Sequence, residues 1–366
     1  MSEQQKSLQQ IMDFRLEKLQ KLKDAGVNPY PHQFKPTHSS QEILGNYETL
    51  ENKTVVVAGR IMALRKMGKA SFTHIMDGAG RIQAYIRRDD IGEDQYNHFK
   101  LLDIGDFIGI EGYVFTTKMG EISIHADKIT VLAKSIRPLP VVKEKDGETF
   151  DAFSDKEQRY RNRHLDLIVN PEVRETFIKR TKIINAIRSY LDGRDFLEVE
   201  TPVLQPLYGG ANARPFVTHH NSLDQTFYLR IADELYLKRL IIGGFEKVYE
   251  IGKDFRNEGM DRSHNPEFTM LEYYEAYADY TDTMALIEDM IQTVAKGVDA
   301  TQITWGDMEI DLSKPFAKKP YFELLKEATG RDLSKASLEE LKTIFDELKI
   351  EIPANVNVPQ MLGTLM

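Results

Sequence analysis

Residues 247–278 limit what this chain can fold into more than any other segment. Apolar and polar residues alternate in 248–251 and again in 268–271, with the two-residue period of a half-buried strand. The loop sequence between them, GMDRSHNP, consists mostly of turn formers. The segment is therefore predicted to form a β-hairpin.

Charged side chains are expected to share one face of this hairpin. Residues two apart in a strand point to the same side, which groups Arg256 with Glu258 and Glu272 with Tyr274. Burying these charges without partners would cost several kcal/mol, on the order of the penalty for an unpaired buried ion. The face is therefore either a solvated surface with a salt bridge or a binding site.

The hairpin sequence resembles motif 2 of the class II aminoacyl-tRNA synthetases. The resemblance rests on FRNE, on His264 and on NPEFTMLEYY, and FTMLEYYEAYADY is most similar to the lysyl-tRNA synthetases. It implies that Arg256 is catalytic and binds both the α-phosphate of ATP and the carboxylate of the amino acid, as a planar fork can. The other residues that it implies in ATP binding are Glu258, His264, Asn265 and Phe268.

The same resemblance implies a site for L-lysine. Glu272 and Tyr274 would hold the ε-ammonium, and Glu234 would pair with the α-ammonium. Gly210, in the run YGGANARPF, would let the main chain approach the substrate. Without the family, Glu234 is better explained as a helix-dipole carboxylate, and Gly210 is equally explained as part of an ordinary turn.

Residues 54–132 are predicted to form a second kind of structure. Five short strands, separated by Gly-containing turns and one helical connection, indicate a Greek-key barrel of the OB type. The resemblance extends here to the anticodon-binding domain of the lysyl-tRNA synthetases. It implies anticodon contacts from Phe72, Gln83 and, less directly, Glu121. Nearby basic residues would supply positive charge: Arg60, Arg65, Lys66, Lys69, Arg81, Arg87 and Arg88.

Composition narrows the class of protein. The chain has 48 Lys and Arg against 57 Asp and Glu, a net charge of −9, so a tRNA partner would have to meet local basic patches. It contains no Cys, which excludes disulfides and cysteine metal sites. No signal-peptide pattern and no membrane-spanning apolar run is visible, so we expect a cytoplasmic protein without a membrane partner.

Two further segments bear on the architecture. Residues 8–25 are predicted to form an amphipathic helix with a basic face that is either solvated or turned to RNA. The run FLEVETPVL reads as a strand that leads into Pro202 and resembles motif 1, the dimer-interface element of class II synthetases. The resemblance therefore implies a homodimer with Pro202 near its interface.

The predicted fold class is α+β, an OB-type barrel followed by an antiparallel-sheet class II catalytic domain that is incomplete at its C-terminal end. The expected domains are a helical extension in 1–50, the barrel in 51–140, a linker in 141–170 and the catalytic domain in 171–366. No GxGxxR-like string that would mark motif 3 occurs in 281–366. We therefore expect the main Mg²⁺ ligands beyond residue 366, no metal site within this chain, and weak or absent activity from these residues alone.

The implied reaction joins L-lysine to tRNA(Lys). Lysine and ATP give lysyl-adenylate and pyrophosphate, with Mg²⁺ bridging the phosphates, and a terminal ribose hydroxyl of the tRNA then takes the lysyl group. Three alternatives stay open at this point. They are a related aspartate or asparagine enzyme, a paralogue that modifies elongation factor P, and a catalytically inactive tRNA-binding fragment.

Overall fold

The computed structural model describes residues 7–140, 143–145, 148–150, 153–261, 263–352 and 356–365. The chain divides into two compact units, Met1–Arg174 and Glu175–Met366. Parts of the predicted extension (1–6), linker (141, 142, 146, 147, 151 and 152), hairpin loop (262) and C-terminal region (353–355 and 366) lie outside the described residues.

The first unit begins with the expected helix, α1 (Leu8–Asp24), which starts at a capping box formed by Ser7 and Gln10. Gly26 follows at φ +75°, a conformation that suits glycine at a helix end. Part of the basic face is occupied within the unit, whereas Lys21 and Lys23 are exposed. Arg15 is buried and donates to the carbonyls of Ser135 and Ile104, both at 3.0 Å. Two short helices follow, α2 (Ser40–Gly45) and α3 (Tyr47–Leu50).

Five strands then form the closed barrel, as predicted. In chain order the elements are β1 (Thr54–Met67), β2 (Ala70–Met76), β3 (Arg81–Arg87), α4 (Arg88–Ile91), α5 (Glu93–Lys100), β4 (Phe107–Thr116) and β5 (Ile122–Ala133). The strand order is β1-β2-β3-β5-β4, with β3 and β5 parallel. Alternate residues of each strand point inward, and Ile82, Ala84 and Ile86 of β3 are buried. A Cβ at Gly112 would lie 1.9 Å from the His125 carbonyl oxygen, so the β4–β5 contact at this bulge requires glycine.

The chain leaves the barrel through β6 (Lys143–Lys145), β7 (Glu148–Phe150), α6 (Lys156–Arg161) and α7 (Arg163–Val169). A long helix, α8 (Pro171–Asp192), spans the division between the units. The apolar spacing predicted this helix over 173–191.

The second unit contains several small sheets. Its elements are β8 (Leu197–Glu198), β9 (Leu204–Gln205), β10 (Val217–His220), β11 (Gln225–Leu229), α9 (Glu234–Ile242), β12 (Lys247–Phe255) and β13 (Glu267–Glu275). One three-stranded sheet has the order β13-β12-β8, with β8 parallel to β12, and a second has the order β10-β11-β9.

The predicted strand FLEVETPVL is wrong in its length, because only its two ends are strands. Thr201 directs its hydroxyl to the buried carboxylate of Glu250 at 2.7 Å, and its main-chain N–H faces the same carboxylate at 3.2 Å. A side chain therefore takes the place of a strand partner. Pro202, which follows, is exposed.

The hairpin is present, and β12 pairs with β13 from Lys247 opposite Glu275 to Phe255 opposite Glu267. Its inner side packs against α8 through Tyr249, whose hydroxyl donates to Asp192 at 2.8 Å. One expectation is wrong, since β12 ends at Phe255 and neither Arg256 nor Glu258 lies in a strand. The Glu258 N–H donates to the Arg256 carbonyl at 2.9 Å, a tight turn that begins the loop.

The last described elements are α10 (Tyr280–Gly297), β14 (Gln302–Trp305), β15 (Met308–Asp311), α11 (Tyr321–Thr329), α12 (Leu338–Leu348) and α13 (Val358–Thr364). The final three helices have their own apolar cluster around Leu325, Phe345 and Met361. Among the described residues, no helix is both long enough and apolar enough to cross a membrane.

Candidate functional site

The hairpin loop encloses a cavity of about 600 Å³. All five residues expected to bind ATP line it, although two of them were assigned to a strand: Arg256, Glu258, His264, Asn265 and Phe268. The Arg256 guanidinium carbon lies 5.1 Å from the centre of the Phe268 ring, within the range of a cation–π contact. The loop thus presents a cation, an aromatic face and polar groups to one space, which suits a nucleotide.

Asp261 organises the far side of this loop. Its Oδ1 accepts the N–H groups of Ser263 and His264 at 2.6 and 2.8 Å, and its Oδ2 lies 2.7 Å from His264 Nδ1. The hydrogen bonds from Ser263 and then from His264 hold the pKa of the Asp261 carboxyl below its ordinary value. An ionised Asp261 therefore orients the exposed His264 ring.

A second group of polar residues lies at the other end of the hairpin. The Tyr274 hydroxyl donates to Glu272 Oε1 at 3.1 Å, and the Asp233 N–H donates to Glu272 Oε2 at 3.0 Å. Burial, then the charge and hydrogen bond of Glu272, raise the pKa of Tyr274 well above its ordinary value. Both oxygens of Glu272 are therefore oriented before any ligand binds.

The start of α9 brings Glu234 to this group. Glu234 Oε1 pairs with Lys238 Nζ at 2.6 Å, one turn along the helix, and that ammonium lies 5.8 Å from the Tyr274 ring centre. Gly210 has φ +89°, and a Cβ there would lie 2.8 Å from Glu234 Cβ. The structure therefore places four of the five expected lysine-site residues around one acidic region.

Arg256 connects the two groups. Its Nε and Nη2 each approach the Ile231 carbonyl oxygen at 3.4 Å, in the segment that leads to Asp233 and Glu234. A single molecule bound at both groups would therefore extend from the loop cavity past Arg256 toward Glu272.

A buried set of charges lies below this region. Arg230, Asp233, Glu250 and Asp254 are each at most 3% exposed. Burial, together with the charge of Asp254, raises the pKa of Asp233 to about 8. Burial also raises the pKa of Asp254 to about 6, against the opposing charge of Arg230. Three carboxyl groups share one guanidinium, so protonation of Asp233 or Asp254 is favoured.

The outer surface of the barrel carries a groove of about 520 Å³. Phe72, Gln83 and Glu121 all line it. Gln83 Nε2 donates to Glu121 Oε2 at 2.6 Å, and His74 Nε2 lies 2.9 Å from Glu121 Oε1. The Phe72 ring rests against Tyr85 with centroids 4.9 Å apart. A half-buried ring beside hydrogen-bonding groups is suited to an unstacked base.

Comparison with known proteins decides the family. The family described as tRNA synthetases class II (D, K and N) matches residues 155–353, more than half of the chain. The family described as OB-fold nucleic acid binding domain matches residues 55–132. The chain belongs to the class II tRNA synthetases. The lysine–tRNA ligase of Pelotomaculum thermopropionicum is 52% identical over 94% of this chain and 67% of its own length.

Two other relatives of this synthetase give the same result. The lysine–tRNA ligases of Carboxydothermus hydrogenoformans and Porphyromonas gingivalis are 53% and 51% identical, over 89% and 92% of the chain. The chain spans 66% and 60% of their respective lengths. The resemblance to the lysyl-tRNA synthetases, rather than to the aspartate or asparagine enzymes, is thereby confirmed.

The synthetase site includes residues that sequence reasoning missed. Arg230 and Asp254 were not considered, because a buried charge set has no periodic signal. His74, which lines the barrel groove, could have been found, since it lies two residues from Phe72 and shares its strand face. Of the seven basic barrel residues, Arg65 and Arg81 line the groove. Others are engaged elsewhere, as Lys66 is with the carbonyls of Lys100 and Leu102.

A resident metal ion does not fit the described part of the synthetase. Within residues 7–140, 143–145, 148–150, 153–261, 263–352 and 356–365, no three His, Asp or Glu side chains are placed to hold one. Asp233, Glu250 and Asp254 cluster, but the Arg230 guanidinium lies among them. We therefore derive no step of the reaction through Mg²⁺.

Proposed function

We propose that this synthetase attaches L-lysine to tRNA(Lys) through a lysyl-adenylate. The observation that carries the proposal is the position of Arg256 between the loop cavity and the acidic region of Glu234, Glu272 and Tyr274. ATP is the substrate that class II synthetases require, and the loop cavity offers it a cation and an aromatic face. The names of the relatives favour lysine as the amino acid.

The acidic region suits a substrate with two ammonium groups. Glu272 accepts from Tyr274 and from the Asp233 N–H, which leaves its charge oriented toward a ligand. Glu234 already accepts an ammonium, that of Lys238, beside the Tyr274 ring. A lysine substrate would place its α-ammonium at Glu234 and its ε-ammonium at Glu272. An acidic amino acid would be repelled at both positions.

The reaction follows from this placement. A lysine carboxylate oxygen attacks the α-phosphorus of ATP and forms a new O–P bond, and pyrophosphate leaves with the electrons of the broken P–O bond. Arg256 stabilises the negative charge that develops on the α-phosphate and holds the attacking carboxylate in line. The tRNA ribose hydroxyl then displaces AMP. No covalent intermediate with the protein is needed.

The barrel groove is proposed to bind the anticodon of tRNA(Lys). Phe72 would stack on a base, while Gln83 and Glu121 would read base edges, with Arg65 and Arg81 near the phosphates. We also propose a cytoplasmic homodimer. Exposed apolar residues next to Pro202 support an interface there, since Val203, Leu204 and Leu207 are 37%, 48% and 65% exposed.

Direct binding tests the proposal independently of turnover. We expect the 366-residue chain to bind lysine in a calorimetric titration and to show no heat with aspartate or asparagine at the same concentrations. Ornithine, one methylene shorter, should bind more weakly because its two ammonium groups span less distance. Equal affinity for aspartate or asparagine would contradict the assignment of the acidic region.

Binding of tRNA separates this function from that of a general RNA-binding barrel. We expect the chain to bind an anticodon stem-loop of tRNA(Lys) more tightly than one whose anticodon bases are replaced. Equal affinity for both stem-loops would show that the groove does not read the anticodon.

A further inference from the structure

A buried arginine lies beneath the proposed substrate residues. Arg230 is 1% exposed. Its Nη1 donates to Glu250 Oε1 at 2.5 Å and to Thr201 Oγ1 at 3.2 Å. Its Nε donates to the Lys253 carbonyl at 3.0 Å. The guanidinium therefore ties the chain that follows β11 to the middle of β12.

The main chain of Arg230 is fixed on both sides as well. Its N–H donates to the Val203 carbonyl at 2.9 Å, next to β9. Its carbonyl accepts the Phe255 N–H at 2.9 Å, at the end of β12. Arg230 is thus held by main chain and side chain where the sheet that contains β9 meets the sheet that contains β12.

The residues directly after Arg230 contact the proposed substrate-binding side chains. The Ile231 carbonyl faces the guanidinium of Arg256, with both distances 3.4 Å. The Asp233 N–H donates to Glu272 at 3.0 Å. A shift of this segment would therefore reorient both Arg256, which is proposed to bind ATP, and Glu272, which is proposed to bind lysine.

Gly252 provides the space that Arg230 occupies. A Cβ at Gly252 would lie 1.9 Å from Arg230 Nη2 and 3.1 Å from its Cζ. Real Cβ atoms do not approach another heavy atom so closely, so one of the two groups must shift. Any side chain at 252 would therefore change how the guanidinium packs against β12.

We propose that Arg230, seated over Gly252, is a positioning residue that sets the orientation of Arg256 and Glu272 for substrate binding. The inference rests on the proposed function, because it concerns how lysine and ATP are held. Asp233 and Asp254 complete the arrangement. Asp233 Oδ1 lies 2.9 Å from Arg230 Nη1 and Asp254 Oδ1 lies 3.2 Å from Nε. None of the four carboxyl oxygens of Asp233 and Asp254 has a partner with hydrogen-bond geometry among the described residues. Asp233 and Asp254 therefore lie beside the guanidinium without fixing it. Its orientation is set by hydrogen bonds to Glu250, to Thr201 and to the Lys253 carbonyl.

Two single variants and their double variant test the proposal. Arg230→Lys keeps the positive charge but loses the planar fork. Gly252→Ala keeps every charge and displaces the guanidinium. Matched controls in the same unit are Arg188→Lys, at an exposed pair with Glu198, and Gly297→Ala, where a Cβ meets nothing within 4 Å.

Lysine and ATP dissociation constants are measured by calorimetry for each folded protein, with folding checked by circular dichroism. We expect each single variant to weaken both ligands by about tenfold or more and the controls to match wild type within about twofold. In the double variant, the lysine that replaces Arg230 has no Nη2 to meet the new methyl group at position 252. The double variant should therefore lose much less affinity for each ligand than the product of the two single losses.

Unchanged affinities in folded Arg230→Lys, or losses that simply multiply in the double variant, would overturn the inference. If Gly252→Ala does not fold, Arg230→Lys decides alone. Failure of the proposed function gives a different result. A wild-type chain that binds ATP but not lysine contradicts the lysine assignment, and the ATP affinities of the variants then decide the role of Arg230. A wild-type chain that binds neither ligand contradicts both.

Discussion

The hydroxyl of Tyr274 donates a hydrogen bond to Glu272 two residues earlier in the same strand. Residues two apart lie on one strand face, so β13 itself brings the pair together. Removing the hydroxyl leaves the Glu272 charge in place but frees one of its oxygens. Tyr274→Phe should therefore weaken lysine binding by about fivefold, the effect of about 1 kcal/mol. Calorimetry measures it, with Tyr277→Phe, at a side chain that is 97% exposed, as the control.

Gly210 gives a test that separates backbone strain from contact with the site. Gly210 and Gly244 both have positive φ, +89° and +106°, so alanine is strained at each by about 1–2 kcal/mol. Only at Gly210 would the new Cβ press on Glu234, at 2.8 Å. Both variants should lose stability in urea denaturation, Gly210→Ala the more because of this close contact, but only Gly210→Ala should lose lysine affinity. Equal lysine affinity in the two variants would show that Glu234 does not contact the substrate.

Phe72 tests the barrel groove. Stacking of a base on an aromatic ring contributes about 1–3 kcal/mol, so Phe72→Ala should weaken the anticodon stem-loop by at least about fivefold. Phe72→Tyr keeps the ring and should restore most of the affinity. Fluorescence anisotropy with a labelled stem-loop provides the measurement. Weakening of Phe72→Tyr to the same extent would point to a packing role against Tyr85 instead.

The sequence predicted best the parts of the fold that local patterns determine. Two-residue alternation gave the barrel strands and the β12–β13 hairpin, and apolar spacing gave α1 and α8. The end of β12 at Phe255 was missed because the alternation continues through Arg256 and Glu258 although the chain has turned. The two-residue alternation of apolar and polar residues does not by itself show where a strand ends and a turn begins.

The candidate site divides in the same way. Residues within one motif, such as Arg256 and Phe268, were grouped correctly because a hairpin joins them through a short loop. Arg230 and Gly252 were missed, because their contact joins segments that meet only in the folded second unit. A glycine that makes room for a distant arginine leaves no pattern in its own neighbourhood. The break in the predicted strand at Thr201 was missed for the same reason, since Glu250, the partner of Thr201, is far along the chain.

Asp233 should make stability depend on pH. Its pKa of about 8 in the folded chain lies above its value in the unfolded chain, near that of free aspartate. Between these values the folded state binds one more proton, so stability falls as the pH rises toward 8. The charged groups around it are Arg230, Asp254, Glu250 and Glu272.

We expect the free energy of unfolding to fall by about 3–4 kcal/mol between pH 5 and pH 8, because the linkage slope for one proton is about 1.4 kcal/mol per pH unit. Asp233→Asn, which cannot ionise, should flatten this dependence and be the more stable form at pH 8. Urea denaturation at both pH values measures it. An unchanged pH dependence in Asp233→Asn would show that another group titrates.

Lys134 holds the ionic cluster that joins α1 to the barrel. Its ammonium is fully buried and lies 2.6 Å from Asp103 and 2.9 Å from Asp106, while Lys18 reaches Asp103 from α1 at 2.5 Å. Lys134→Met removes the charge and leaves the buried carboxylate of Asp106 without its cation. We expect a loss of about 3–5 kcal/mol in the unfolding of the first unit, the usual result of breaking a buried pair. As a control, Lys21→Met, at an exposed position of α1, should change stability by less than about 0.5 kcal/mol. Similar thermal midpoints for the two variants would mean that Asp103 and Asp106 are neutralised without Lys134, and that the cluster contributes little to docking α1.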